Sequence, residues 1–330
     1  MRKEFTSDRD SAPGIGMLMR AADQAIETAP AQRTPDMPAP ERPVTEAGGE
    51  APLREELRRT LRELRLSGLR PEAGRLDRLL AAMLEHIGDP DPELRDELIY
   101  GSFSDWIQAG ALGAQQLLML ANAALDERHL FYRIGENGSD SVFTRSFSVL
   151  LLPLILSADR AAPFLADRDW RRLLEAALRY AAQERDVRGP VPEGGKGWAH
   201  AAAHTGDALE DLAQSPQAGP AERLNILEAL RLRLRSADRV FVFDEDERLA
   251  AAAETALTRG GLEPGAFDAW LQRLGEPAED GAAESFEEAA RVRVNARLFL
   301  ERLHARLLAH PSAAEQAEAV RLRGALLRME

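Results

Sequence analysis

The chain has 330 residues, enough for one large domain or two ordinary ones, and its 45% hydrophobic content is sufficient for a packed core. A formal net charge of −13 argues against nucleic-acid binding, because phosphates require a basic surface. The chain has no cysteine, which excludes disulfides and thiolate metal sites and favours a reducing, cytoplasmic location.

The N-terminal part of the chain is predicted to be a disordered, proline-rich extension over residues 1–52. Residues 29–53 are rich in Pro, Gly, Ala and charge, a composition typical of flexible linkers. The N-terminus lacks the apolar run of a signal peptide. We therefore expect one helical domain over residues 53–330.

From residue 53 onward the pattern predicts helices almost throughout, and the fold class is predicted to be all-α. In LREELRRTLRELRLSG, leucines recur at positions 53, 57, 61 and 64, the spacing of an amphipathic helix. The longest apolar run, VLLLPLIL at 149–156, is too short to span a bilayer, so it predicts a buried core helix and no membrane association. RVFVF at 239–243 is the one strand-like segment, and a tight loop is the alternative.

Three D-x-x-x-R pairs suggest an internal repeat. They begin at residues 91, 167 and 244, and each places an aspartate that can cap a helix one turn before an arginine. The separations (76 from 91 to 167, and 77 from 167 to 244) equal two periods of roughly 38 residues, close to those of HEAT-type helix pairs. We predict a HEAT-like helical-repeat solenoid; an irregular helical bundle or an α/α toroid is the alternative.

The segment EGGKGWAHAAAHTGDALEDL, residues 193–212, holds the densest candidate site. Lys196 is one of only two lysines in a chain whose other positive charges are all arginine, and it lies in a Gly-Gly-Lys-Gly turn whose amides could help to hold an anion. On a helix expected to begin near residue 197, His200, His204 and Asp207 would share one face.

Two imidazoles and a carboxylate at this spacing could bind a divalent metal such as zinc or iron. His200, His204, Lys196 and Asp207 are therefore the candidate catalytic residues, and the two histidines with Asp207 are the candidate metal ligands. Packing of the histidines at a helix interface is the alternative.

Three further polar clusters supply candidate ligand-binding residues. They are a turn at 136–146, a loop at 184–197 and the acidic run DEDER at 244–248. Ordinary turn chemistry and helix capping are the alternative for each of them. The candidates are Glu136, Asp140, Arg145, Asp186, Arg188, Trp198, Asp244, Glu245 and Arg248.

Four blocks of the sequence together resemble domain-of-unknown-function family 2785, a bacterial family. The matching text is PDPELRDELIYGSFSDWI, LDERHLFYRIGENGSDSVFTRSFSVLLLPLIL, DVRGPVPEGGKGWAHAAAHTGDALEDL and VFDEDERLA. The resemblance covers roughly residues 55–275, without the N-terminal extension and the helix after about residue 280. It implies a mostly helical fold with a polar signature at the candidate positions, but no activity.

Two functions are consistent with these residues. In the first, an anionic small molecule or divalent metal binds in a polar pocket, with Arg145, Arg188 and Lys196 holding the anion and His200 or His204 as general acid or base. In the second, the protein is a non-enzymatic helical-repeat module that binds a protein or peptide. The sequence leaves open whether the protein is an enzyme.

Overall fold

The computed structural model describes residues 47–324 apart from 69–70, 72, 264, 275–284 and 311–317. Within these residues the chain forms twelve α-helices up to residue 309 and no strand, so the predicted all-α class is confirmed. The predicted extension lies outside the described residues up to residue 46. The first helix begins at Ala47, before the predicted boundary at residue 53.

The helices are α1 (Ala47–Ser67), α2 (Ala73–Glu85), α3 (Gly101–Gln108), α4 (Ala114–Ala124), α5 (Ser141–Val149), α6 (Leu151–Ala161), α7 (Asp167–Gln183), α8 (Ala201–Gln214), α9 (Pro220–Ser236), α10 (Glu245–Thr258), α11 (Ala266–Leu274) and α12 (Phe286–Ala309). A π-helical segment, Glu93–Tyr100, runs directly into α3, and a 3₁₀ turn, Glu193–Gly195, precedes α8.

Beyond α1, the helices lie in two rows. In row A, α2 packs on α4, α7 on α9, and α9 on α11, while a hydrogen bond from Arg172 of α7 to Asn122 of α4 joins the two halves of the row. In row B, α3 packs on α6, α6 on α8, α8 on α10, and α10 on α12. Successive helices thus alternate between the rows, with α5 and α6 together filling one place in row B.

The internal repeat predicted from the D-x-x-x-R pairs is not the one that the helices follow. In row A, α4, α7, α9 and α11 begin at residues 114, 167, 220 and 266, which are 53, 53 and 46 residues apart rather than about 38. Asp167 starts a row A helix whereas Asp244 precedes a row B helix. The three pairs therefore occupy non-equivalent positions, and capping aspartates alone do not define a period.

The apolar run at 149–156 forms part of the core, as predicted. Leu151, Leu152, Ile155 and Leu156 of α6 are all buried. The stretch Ser141–Ala161 is long and apolar enough to cross a membrane by length and composition alone, yet 78% of its apolar window is buried inside the fold. Burial of this kind is what a core helix shows, and row B is built around it.

Candidate functional site

A cavity of about 790 Å³ lies where the N-terminal ends of α8 and α10 meet. Its lining comes from the end of the π-helical segment, the α5–α6 junction, α8 with the residues just before it, and the loop that leads into α10. The lining residues are Tyr100, Leu150, Trp198, His200, Ala203, His204, Asp207, Val242, Phe243, Asp244, Glu247 and Arg248. Six predicted site residues meet here: Trp198, His200, His204, Asp207, Asp244 and Arg248.

One wall of the cavity is aromatic and open to solvent. Trp198 is 43% exposed, and its ring stacks on His200 with the centroids 4.4 Å apart. Phe243 meets the Trp198 ring edge-on at 5.4 Å, and Val242 beside it is 66% exposed. Large apolar side chains exposed together around a cavity are typical of a binding surface.

The loop before α8 sets the position of His200. Backbone hydrogen bonds join Ala199 to Gly189 and His200 to Arg188, at 2.8 and 3.0 Å, so the loop pairs with itself up to His200. His200 then adopts a left-handed conformation with φ of 51°, and α8 begins only at Ala201. The helix therefore starts later than the predicted residue 197.

A buried arginine holds this loop against the π-helical segment. The Arg95 guanidinium donates a hydrogen bond of 2.8 Å to the carbonyl of Lys196 and lies 4.1 Å from the centroid of the Phe143 ring. The side chain of Arg95 is fully buried. Arg95 consequently fixes the aromatic wall to the rest of the domain. In the sequence, Arg95 stood out only as the arginine of a D-x-x-x-R pair.

The predicted metal triad is not formed among the described residues. His200 has a left-handed rather than a helical backbone, and its ring stacks on Trp198. The Asp207 carboxylate is taken by Arg248, with Oδ1 2.7 Å from Nη1. Among the described residues, no group of three or more His, Asp or Glu side chains is arranged to hold a metal ion.

His204 is held as a neutral imidazole. Its Nδ1 lies 2.7 Å from Oγ of Ser146, whose hydroxyl donates to the carbonyl of Ala199. A hydroxyl that donates its proton elsewhere must accept from Nδ1–H, so Nε2 carries the lone pair. Burial, followed by the neighbouring His200, lowers the pKa of His204 to about 3, so Nε2 keeps its lone pair near neutral pH.

His200 is also shifted toward the neutral form. Burial is the main cause of its lowered pKa, the positive charge of Arg248 adds to the effect, and Asp244 opposes it. Its Nδ1 is buried without a hydrogen-bond partner among the described residues. Both histidines thus contribute aromatic surface and lone pairs rather than positive charge to the cavity.

The acids of the cavity differ in how they are paired. Besides Asp207, Glu247 is engaged, because its Oε1 accepts a hydrogen bond of 2.6 Å from Arg306 of α12. Asp244 is exposed, and within the described part of the chain its carboxylate has neither an ion pair nor a hydrogen bond. Asp244 is therefore the carboxylate of this cavity that is free to meet a ligand.

Tyr100 also lines the cavity. Burial, together with the carboxylates of Asp207 and Asp211, raises the pKa of its hydroxyl to about 12, so the phenol stays protonated. Its ring meets Phe147 edge-on at 6.2 Å. The cavity is thus lined by protonated phenol, neutral imidazoles, aromatic rings and one free carboxylate.

Six residues predicted to bind a ligand, and Lys196, do not line the cavity. Arg145 is fully buried and clamps the buried Glu184 carboxylate through Nε and Nη2, at 2.5 and 3.0 Å. Its remaining N–H groups donate to Ser141 and to backbone carbonyls of the 132–136 turn. The predicted clamp on a ligand is therefore a clamp on this protein's own carboxylate.

The rest of this cluster ties the turn at 136–141 to the loop at 184–197. Asp186 is buried and pairs with Arg188 at 2.7 Å, and Arg188 donates to the carbonyl of Ser139. The ammonium of Lys196 lies 2.8 Å from both oxygens of Asp140. Glu136 accepts hydrogen bonds from Ser139 and Ser141. Each of these side chains is paired with another part of the protein rather than with a ligand, so together they join the two loops.

Glu245 is likewise structural rather than a ligand group. It is buried, and its carboxylate accepts hydrogen bonds from the backbone N–H groups of Val242 and Phe243, at 3.1 and 2.8 Å. It thereby shapes the loop that carries two of the exposed apolar residues of the cavity.

Several cavity residues were not predicted as site residues. They are Tyr100, Leu150, Ala203, Val242, Phe243 and Glu247. The strand-like run RVFVF held the only available signal: the run forms a loop, in which Phe241 reaches the core while Val242 and Phe243 stay exposed. Tyr100 lies far away in sequence and is brought in only by the packing of row B.

A family model described as "Protein of unknown function (DUF2785)" matches residues 130–305, more than half of the chain. The chain belongs to this family. No curated protein and no solved structure matches the sequence.

The DUF2785 match, residues 130–305, differs in extent from the resemblance seen in the sequence, roughly residues 55–275. The match begins after PDPELRDELIYGSFSDWI, and it includes most of α12, which the resemblance leaves outside. Every predicted site residue and every cavity residue except Tyr100 falls within the matched region. The cavity is therefore contained almost wholly in the DUF2785 part of the chain.

Proposed function

We propose that this DUF2785 protein is a non-enzymatic helical-repeat module that binds a peptide segment of a partner protein in the cavity between the N-terminal ends of α8 and α10. The observation that carries the proposal is the exposed apolar rim formed by Trp198, Val242 and Phe243 beside a cavity of about 790 Å³. Exposed aromatic anchors around a concave site are what peptide-binding surfaces offer.

The HEAT-like solenoid is part of this proposal. Support comes from the alternation of successive helices between two rows and from the similar side-chain contacts between row B neighbours. Arg160 of α6 pairs with Asp211 of α8, Arg248 of α10 with Asp207 of α8, and Arg306 of α12 with Glu254 of α10. Stacked helix pairs of this kind commonly present extended binding surfaces.

The contacts weigh against an anionic ligand. The cations expected to hold it, Arg145, Arg188 and Lys196, are paired with Glu184, Asp186 and Asp140 and line no part of the cavity. Arg248 does line it, but is paired with Asp207.

General acid–base catalysis by His204 receives no support either. A histidine with a pKa of about 3, such as His204, holds no proton to donate near neutral pH, and it is a weak base.

A cytoplasmic location stays a prediction from composition.

Selection of random peptides on the full-length protein tests the proposal. Peptides enriched on the wild type should bind Trp198→Ala about tenfold more weakly, because truncating a central aromatic anchor removes on the order of 1–2 kcal/mol of binding free energy. Fluorescence anisotropy with labelled peptides measures the loss.

Phe286→Ala is the matched control, since Phe286 is 86% exposed on α12 but lies outside the cavity. It should leave binding unchanged. Failure to enrich any peptide, or equal binding by wild type and Trp198→Ala, would contradict the proposed function.

A further inference from the structure

We propose that the cavity recognises an arginine side chain of the bound peptide, with Asp244 as the anionic partner of its guanidinium group. This inference rests on the proposed function and adds the chemical class of the residue that enters the cavity. It is drawn from the free carboxylate, the aromatic wall and the acceptor nitrogen that face the same space.

The free carboxylate is the first element of the recognition. Asp244 lines the cavity, is exposed, and pairs with no other side chain in the described ranges. A carboxylate accepts two parallel N–H groups of a guanidinium, which makes the pair stronger and more directional than one with a neutral donor. Asp244 can therefore pair with the guanidinium group of a ligand as Glu184 pairs with that of Arg145 inside the fold.

The second element is the aromatic wall. His200 covers one face of the Trp198 ring and Phe243 meets this ring edge-on, and Trp198, 43% exposed, keeps ring surface open to a ligand. Guanidinium groups stack on aromatic faces and are more weakly hydrated than ammonium groups. The wall therefore favours arginine over lysine at a site where both would satisfy Asp244.

The third element is His204, whose Nδ1 is fixed by Ser146 so that Nε2 is left as an acceptor. A guanidinium has five N–H donors and no acceptor. This donor-rich group matches three acceptors, the two oxygens of Asp244 and Nε2 of His204. An anion would instead be repelled by the lone pairs of these same atoms.

The charge balance of the cavity also favours a cation. Each helix N-terminus that meets here carries roughly half a positive charge. At α10 this charge is offset by Glu245, whose carboxylate accepts two backbone N–H groups directly before the helix. The remaining half charge at α8 is smaller than the full negative charge of Asp244, and the Asp207–Arg248 pair adds no net charge.

The test uses a single-residue probe and a reporter in the wall. The chain has four tryptophans, of which Trp198 is exposed while Trp106, Trp170 and Trp270 are buried. In protein labelled with 5-fluorotryptophan, Trp198→Phe assigns the ¹⁹F resonance of Trp198. N-acetyl-arginine methylamide should shift that resonance saturably, with the millimolar affinity expected of one side chain.

The citrulline counterpart of the probe is the matched ligand control, because it replaces the guanidinium by a neutral urea of the same shape. It should bind about tenfold more weakly or not at all. The lysine counterpart should bind several-fold more weakly than arginine, since its ammonium cannot stack as a plane.

Asp244→Asn should weaken binding of the arginine probe about tenfold. Asparagine tolerates the left-handed backbone at this position, where φ is 62°, so the loop is preserved. Asp167→Asn removes the same charge from the exposed start of α7, outside the cavity, and should leave binding unchanged.

Three results would overturn the inference: citrulline binding as tightly as arginine, unchanged affinity in Asp244→Asn, or no shift of Trp198 up to about 50 mM probe, well above the expected affinity. Lysine binding as tightly as arginine would overturn the guanidinium assignment.

The two proposals fail separately. Selected peptides that need Trp198 but tolerate replacement of every arginine by citrulline would leave the peptide module and remove the arginine site. Binding of the arginine probe, when no peptide can be selected, would leave the arginine site and remove the peptide module.

Discussion

Buried arginines organise the polar interior beside the cavity. Arg95, Arg145 and Arg233 are each fully buried, and each donates to a carbonyl of a distant segment. Arg145 and Arg233 both meet Glu184, one through its carboxylate and the other through its backbone carbonyl. A planar group with five donors can join several segments at once, which a lysine cannot do.

Arg145→Met should lower the free energy of unfolding by about 3–5 kcal/mol, because it leaves the Glu184 carboxylate buried and unpaired. Urea unfolding followed by circular dichroism measures the change. The double variant Arg145→Met/Glu184→Met should recover much of the loss, since both charges are then removed together.

Arg171→Met is the control for this pair. Arg171 is 59% exposed and pairs with Glu222 at 3.2 Å, so its loss should cost less than about 1 kcal/mol. A similarly small cost for Arg145→Met would show that the buried pair does not stabilise the fold.

At the scale of elements, α8 and α10 are packed unusually closely because both are rich in small residues. α8 begins AAAHTG and α10 contains AAAA. A Cβ on Gly206 would lie 2.8 Å from the backbone carbon of Arg248, so the two helices touch there by main chain. This approach brings His204 and Asp207 to the same cavity as Asp244 and Arg248.

Gly206→Ala should destabilise the protein by about 1–2 kcal/mol, because overpacking against backbone exceeds the helix propensity that alanine gains. It should also weaken peptide binding, since α10 must move away from α8. Thermal unfolding and anisotropy measure the two effects.

Gly74→Ala is the control for helix propensity. Gly74 lies in α2, and a Cβ at this position would meet no atom within 4 Å, so the change should stabilise the protein by about 0.5–1 kcal/mol. Stabilisation by Gly206→Ala would contradict the close packing of α8 and α10.

At the scale of the whole molecule, each row B helix is supported by its row neighbours and by row A. α8 packs on α5, α6, α7, α9 and α10, whereas α1, within the described residues, packs mainly on α2 and the π-helical segment. In an array stabilised by nearest neighbours, elements at the ends open first.

Hydrogen exchange read by mass spectrometry should therefore show α8 and α10 as the most protected helices and α1 as the fastest to exchange. α1 is held to the π-helical segment and to the residues just before it partly by ion pairs, Arg58 with Asp91 and Arg62 with Glu93, beside the buried Leu57 and Leu61. Raised salt should speed exchange in α1 more than in α8. Equal protection of α1 and α8 would contradict this order.

The sequence by itself determined the all-α class, the core role of the run at 149–156 and the family, because these depend on local periodicity and on contiguous text. It also singled out Trp198, His200, His204, Asp207, Asp244 and Arg248, six residues that meet in the cavity. Residue type was enough to mark them as unusual.

Only the tertiary structure decided which polar residues are free. Arg145, Asp186 and Lys196 find their partners on other loops, and no pattern along the chain separates an internally satisfied charge from an available one. The left-handed turn at His200 removed the metal triad, and the packing of row B added Tyr100. The loss of the predicted triad and the presence of Tyr100 in the cavity both depend on contacts between segments that are distant in sequence.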